Sequence, residues 1–164
     1  MMMPTENTKI DSRPETYKHI QTVQQNMNRA IQNLMKRSEV HDQSKLNAPE
    51  LEIFDEYTSK LRGCTYGSKE YEDYREKMKS ALDHHYAVND HHPEHNINGV
   101  QGMSLMSLQE MICDWYAATQ RHADGDLMKS IEINQKRFGY SDELKQILLN
   151  TVKELGFFHT NVIR

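Results

Sequence analysis

From Arg13 to about Lys36 the apolar residues Ile20, Val23, Met27, Ala30, Ile31 and Leu34 recur at steps of three and four, with polar residues between them. That spacing lays a single apolar stripe along an amphipathic helix. A second helix is expected from about Pro49 to Leu61, with Leu51, Phe54, Tyr57 and Leu61 on its apolar face. Asn47 is its expected cap, Pro49 and Glu50 suit the first turn, and Gly63 suits the stop. The stretch Gly63 to Gly67 reads as a loop. Ser68 opens a long helix to about Val88, with Tyr71, Tyr74, Met78, Ala81, Leu82 and His85 on one stripe. Residues 89–104 are punctuated by Gly and Pro and read as an irregular loop. Ser104 or Ser107 starts the next helix, which runs to about residue 122 with Leu108, Met111, Ile112, Trp115 and Thr119 in line. A turn at 123–126 leads into a helix ending near Phe138, closed by Gly139. Ser141 caps the last helix, which carries Leu144, Ile147, Leu148, Val152 and Leu155 and closes at Gly156. No segment alternates with the period of two that a half-buried strand needs. The expected fold is therefore all-α: a single-domain bundle of about six helices over residues 14–164, preceded by a flexible, polar N-terminus at 1–13.

Bulk composition narrows the partners. A chain of 164 residues suits one domain with one core. The net charge of -4, with Lys and Arg scattered, argues against long nucleic acid. No apolar run nears the roughly 18 residues of a membrane span, and the polar start has no secretory apolar region. Cys64 and Cys113 are too few for a disulfide framework and fit a reducing, cytoplasmic setting.

Chemistry enters with the histidines. There are nine, and five fall between residues 84 and 95: His84, His85, His91, His92 and His95. Neutral imidazole and carboxylate hold divalent transition metals, which need several ligands converging from different elements and an open position for water. His19 lies at the edge of the first stripe. His41 and Asp42 are adjacent just before the second helix. Asp114 sits beside Met111 and Ala118 on its helix, where a lone carboxylate would be poorly solvated.

The order His, His-Asp, Asp, with the lysine of His41-Asp42-Gln43-Ser44-Lys45, resembles the HD-domain superfamily of metal-dependent phosphohydrolases over roughly residues 15–120. The chain also looks like small uncharacterised phage and bacterial proteins of that kind. The resemblance implies an HD-like helical fold and a ligand set of His19, His41, Asp42 and Asp114. Its two-metal members add histidines between the doublet and the last Asp, a part that His84 or His85 with His91 and His92 would fill. Helical projection favours His85 as the inward one, because it lines up with Met78 and Leu82. His92 precedes Pro93 and so prefers extended backbone. His95, His122 and His159 read as ordinary surface histidines.

Such a site would hold one or two ions of Mn, Fe, Co, Ni or Zn and would activate water against a nucleotide or another small phosphorylated metabolite. Asp42 would ligate and orient the nucleophile, and Lys45 would neutralise a phosphate oxygen. Arg121, two turns beyond Asp114, is a phosphate-clamp candidate. Arg62, Asn134 and Arg137 are further substrate-binding candidates. Two other readings stand beside this one: an HD-fold di-iron oxygenase, and a non-catalytic nucleotide-binding module that keeps its metal. A homo-oligomer is compatible with all three.

Overall fold

Each helix begins and ends where side-chain chemistry and backbone geometry require. In the computed structural model, which describes residues 11–64, 68–121 and 125–157, the α-helices are α1 (Arg13–Val40), α2 (Leu51–Arg62), α3 (Lys69–Lys77), α4 (Lys79–Val88), α5 (Leu105–Thr119), α6 (Leu127–Phe138) and α7 (Asp142–Glu154). Short 3-10 turns lie at Gln43–Leu46, Pro93–His95 and Gly99–Gly102. No strand occurs among the described residues, and no helix among them is long and apolar enough to cross a membrane. Part of the expected flexible N-terminus, residues 1–10, lies outside the described residues, as do His122 and His159.

Four helix starts are closed by side chains. The Ser68, Ser104 and Ser141 hydroxyls accept from the Tyr71, Ser107 and Leu144 amides, and the Asp126 carboxylate accepts from Met128 and Lys129. Each satisfies amides that the helix itself leaves without a partner. Gly139, at φ 65°, takes the left-handed turn that ends α6.

Two expectations are corrected. Asn47 does not cap α2; its side-chain amide instead donates to the Gln43 carbonyl at 3.1 Å, and the helix starts without a side-chain cap. The long helix expected from Ser68 to Val88 is divided at Met78. The Met78 amide donates to both Tyr74 and Arg75 carbonyls, a local tightening toward 3-10 geometry that separates α3 from α4.

The core sits among α5, α6 and α7. Met111, Ile112, Leu127, Ile131, Leu148 and Val152 are buried there, and the Trp115 and Phe138 rings stack at 6.3 Å. Tyr140 closes it, with its hydroxyl donating to the Ile131 carbonyl at 2.5 Å. Met78 and Ala81, also buried, anchor α3 and α4 beside α2. α1 packs on α5 through its C-terminal part, so its last turn, α4 and the loop after α4 converge on one face of α5.

Candidate metal centre

His41 and Asp42 reach this junction because α1 stops at Val40. His41 leaves the helix at φ -49°, ψ 126°, and Asp42 turns left-handed at φ 57°. Asp42 is the only non-glycine with positive φ among the described residues. Aspartate visits this region more readily than most residues, yet it still costs about 1 kcal/mol or more, a cost that tends to collect at functional sites. The reversal sends the chain into the Gln43–Leu46 turn.

Four histidines and two carboxylates meet there. His85 Nε2, from the buried face of α4, lies 3.2 Å from Asp42 Oδ1 and 2.9 Å from His92 Nε2. His91 Nε2 lies 3.5 Å from the same Asp42 oxygen, and the His91 and His92 rings are 4.2 Å apart. His92 is extended at φ -92°, ψ 131°, as a residue before proline prefers, and this lets both neighbours turn inward. On the other side His41 Nε2 is 3.6 Å from Asp42 Oδ2 and 3.8 Å from Asp114 Oδ1.

Two further carboxylates hold the imidazoles from behind. Glu110 Oε1 accepts from His41 Nδ1 at 2.8 Å and lies 3.1 Å from His91 Nδ1. Its other oxygen accepts from Arg37 Nε at 2.6 Å, and Arg37 is clamped in turn by Asp90. Glu50, fully buried, accepts from His84 Nδ1 at 2.7 Å and His85 Nδ1 at 3.0 Å. When the His85 Nδ1 donates in this way, its Nε2 keeps its lone pair and points at the cluster.

Except at His41, which would have to give up a proton, the protonation pattern suits a ligand set. Burial opposes ionisation of Asp42, but the His85 and Lys45 contacts outweigh it and hold the carboxyl well below its usual range. Asp114 behaves alike: burial pushes it up, and the hydrogen bond from His41 brings it down. Burial, with His91 and His85 adjacent, pushes His92 down to about 3. Burial likewise lowers His91. His41 is raised to about 9, chiefly by Asp114, with burial opposing and Glu110 assisting.

Two overlapping sets could each take a cation: Asp42, His85, His91 and His92, and separately His41, Asp42 and Asp114. Within each set one ligand atom per residue lies within 4.8 Å of the others. A third grouping, His41, His91 and Glu110, has a simpler explanation, because Glu110 meets those imidazoles at Nδ1. Asp42 Oδ1 and His91 Nε2 are buried and have no hydrogen-bond partner. Buried polar atoms rarely stay unpaired. A carboxylate oxygen and an imidazole nitrogen left so, with two more imidazoles beside them, fit a divalent transition metal.

Of the residues singled out in the sequence, His41, Asp42, His85, His91, His92 and Asp114 are brought together. His19 is not. It is exposed on α1, about six turns before His41 and roughly 33 Å away along the axis, because one unbroken helix carries both regions. His84 stays outside the cluster on Glu50, and His95 is exposed. The Lys45 ammonium pairs with Asp42 Oδ2 and lies 5.3 Å over the Phe54 ring. Arg62 and Arg121 are exposed, and no described contact ties them to the cluster. Asn134 donates to Ser130 within its own helix at 3.3 Å. Arg137 pairs with Glu94, two residues beyond His92, and lines a pocket of about 200 Å³ with Phe54, Tyr71, Arg75 and Tyr86. That pocket shares walls with the centre: the Phe54 ring is 6.2 Å from His85 and the Tyr86 ring 4.9 Å from His92.

Glu50, Glu110, Arg37 and Asp90 join the site without being expected from the sequence. A signal existed for Glu110, which precedes Asp114 by four residues and so shares its helix face. None existed for Glu50, whose place in a first turn suggests only a solvated acid favoured by the helix dipole.

The family model described as "Family of unknown function (DUF5662)" matches residues 8–154 of the chain. No curated protein and no solved structure matches it.

Proposed function

We propose that this chain, which belongs to the DUF5662 family of unknown function, is a metal-dependent phosphohydrolase acting on a nucleotide or another small phosphorylated metabolite. The observation that carries the reading is the buried, unpartnered pair Asp42 Oδ1 and His91 Nε2, 3.5 Å apart with His85 and His92 against them. His41, Asp42, His85, His91, His92 and Asp114 would hold the metal, with Asp42 common to two positions. When bound, a divalent ion there supplies water ionised near neutral pH and a Lewis acid for a phosphoryl oxygen.

The chain's own residues do the rest. Glu110 and Glu50 fix the imidazole planes, which keeps the ligand nitrogens convergent without reorganisation. Lys45, half-exposed at the edge of the cluster, places a positive charge where a phosphate oxygen would gain negative charge. The aromatic and arginine walls of the adjoining pocket suit the non-reacting part of a small phosphate ester. The His41-Asp42 doublet with Asp114 keeps its resemblance to the HD-domain pattern, without His19.

Elemental analysis of the purified protein, followed by a phosphate-release screen over nucleoside mono-, di- and triphosphates and sugar phosphates with Mn added, tests the reading. One or two transition ions per chain and metal-dependent phosphate release are expected. A metal-free protein that binds no Mn, Fe, Co, Ni or Zn at neutral pH would remove the foundation. A metal-loaded protein inert across the panel would remove the hydrolase.

The imidazole-rich set around Asp42 favours a second reading, a di-iron oxygenase of similar helical form. Two irons per chain in anaerobically purified protein, with oxygen-dependent turnover, would select it.

A further inference from the structure

We propose that the N-terminal half of α1 pairs with the same helix of a second copy of this chain. No residue of this helix is buried, and every residue from Arg13 to Arg29 is exposed. Yet this half is amphipathic. Tyr17 is 64% exposed, Ile20 44%, Val23 40% and Met27 60%, and on the next two turns Ile31 is 51% and Met35 58% exposed. Only farther along do Ala30, Leu34 and Arg37 become half-buried, where α5 covers the same stripe. About 25 Å of helix therefore stands clear of the body with its apolar side open. A free helix of this length is marginal in water, and helices are normally held by packing of such a face. Open apolar patches beyond a few hundred Å² mark interaction sites.

The occupant follows from the pattern. Ile20, Val23 and Met27 are spaced three and four, which is the seam of paired helices, and Ala30 and Leu34 carry that spacing on to where α5 covers it. The positions flanking that seam are Tyr17, Gln24 and Ile31 on one side and His19, Asn26 and Asn33 on the other. None is Lys, Arg, Asp or Glu. Charges at these places usually choose a different partner and repel an identical one. Their absence gives an identical helix no repulsion and gives a foreign one no charge to read. The area agrees: six side chains about half exposed amount to roughly 500 Å² of apolar surface per copy. A two-fold pair would then bury up to about 1,000 Å², the lower bound for a specific interface and the size of a weak, concentration-dependent one.

The test is sedimentation equilibrium of the full chain from about 1 to 500 μM, beside the double variant Val23→Glu/Met27→Glu. Both positions are exposed, so the fold does not depend on them, and unchanged helical circular dichroism verifies this. The wild type is expected to move toward twice 19.3 kDa with rising concentration, and the variant to stay at 19.3 kDa or weaken self-association at least tenfold. Wild type at 19.3 kDa throughout would overturn the proposal, and would leave the stripe to a terminal segment of the same chain or to a foreign partner. A dimer indifferent to the double variant would also overturn it, by placing the interface elsewhere. The alanine pair Val23→Ala/Met27→Ala, which adds no charge, is expected to weaken the dimer to a smaller degree.

Discussion

Glu110 meets two imidazoles and one guanidinium with a single carboxylate, so its loss should disturb the centre more than the fold. Glu110→Gln is expected to weaken metal binding about 10- to 100-fold with helical content unchanged, as measured by titration calorimetry. Unaltered affinity would reduce Glu110 to a partner of Arg37. Asp42→Ala should empty the centre and end turnover, whereas Lys45→Ala should change kcat or KM at full metal content; elemental analysis alongside kinetics separates them. The pH dependence follows from His41. Its metal-free value of about 9 lies above the ordinary 6.5, so its proton contributes stability fully below pH 6.5 and loses that contribution as pH rises through 9. A cation must displace that proton. Apparent metal affinity should therefore climb as pH rises toward about 9 and then level, with proton release visible in buffers of different ionisation enthalpy. At this scale the sequence was informative about residue type. The crowding of His84 to His95 and the His41-Asp42 doublet pointed to residues that do converge, although His84 and His95 stay outside the cluster. It was silent on Glu50, because an acid in a first helical turn looks the same whether solvated or buried under two histidines.

At the scale of elements, the signals that could be read were local ones. Ser68, Ser104 and Ser141 cap helices because a hydroxyl reaches an amide only two or three residues on. Gly139 closes α6 because its φ of 65° needs no Cβ. Asp126→Ala should cost about 1 kcal/mol in urea unfolding, since it strips the acceptor from the Met128 and Lys129 amides. A neutral result would mean water replaces the cap without loss. The division at Met78 was not legible, because one uninterrupted stripe runs through α3 and α4. The same limitation misplaced His19. Its stripe shows that α1 is amphipathic, but periodicity carries no record of where a helix leaves the body it packs on.

On the scale of the whole molecule, the centre ties the end of α1, the Gln43–Leu46 turn, α4, the loop after it and α5 into one unit. Without a metal ion, the two carboxylates are balanced only by the Lys45 ammonium and a protonated His41 beside buried imidazoles. Metal should therefore stabilise the fold through linkage, by about 2.7 kcal/mol at a hundredfold excess over Kd. Removing it with a chelator should lower Tm by several degrees, and re-addition should restore it. A Tm indifferent to chelation would mean that no ion binds this centre in the folded state.

What the sequence determined by itself was whatever repeats or acts within a few residues: the helical period, the serine caps, the glycine stop and the supply of histidines. What the tertiary structure decided was convergence. Six candidate ligands from four segments meet because α1 ends at Val40, Asp42 turns left-handed and Glu110 and Glu50 aim the rings. Those distances depend on how whole helices pack, and packing is set by contacts between residues far apart in the chain.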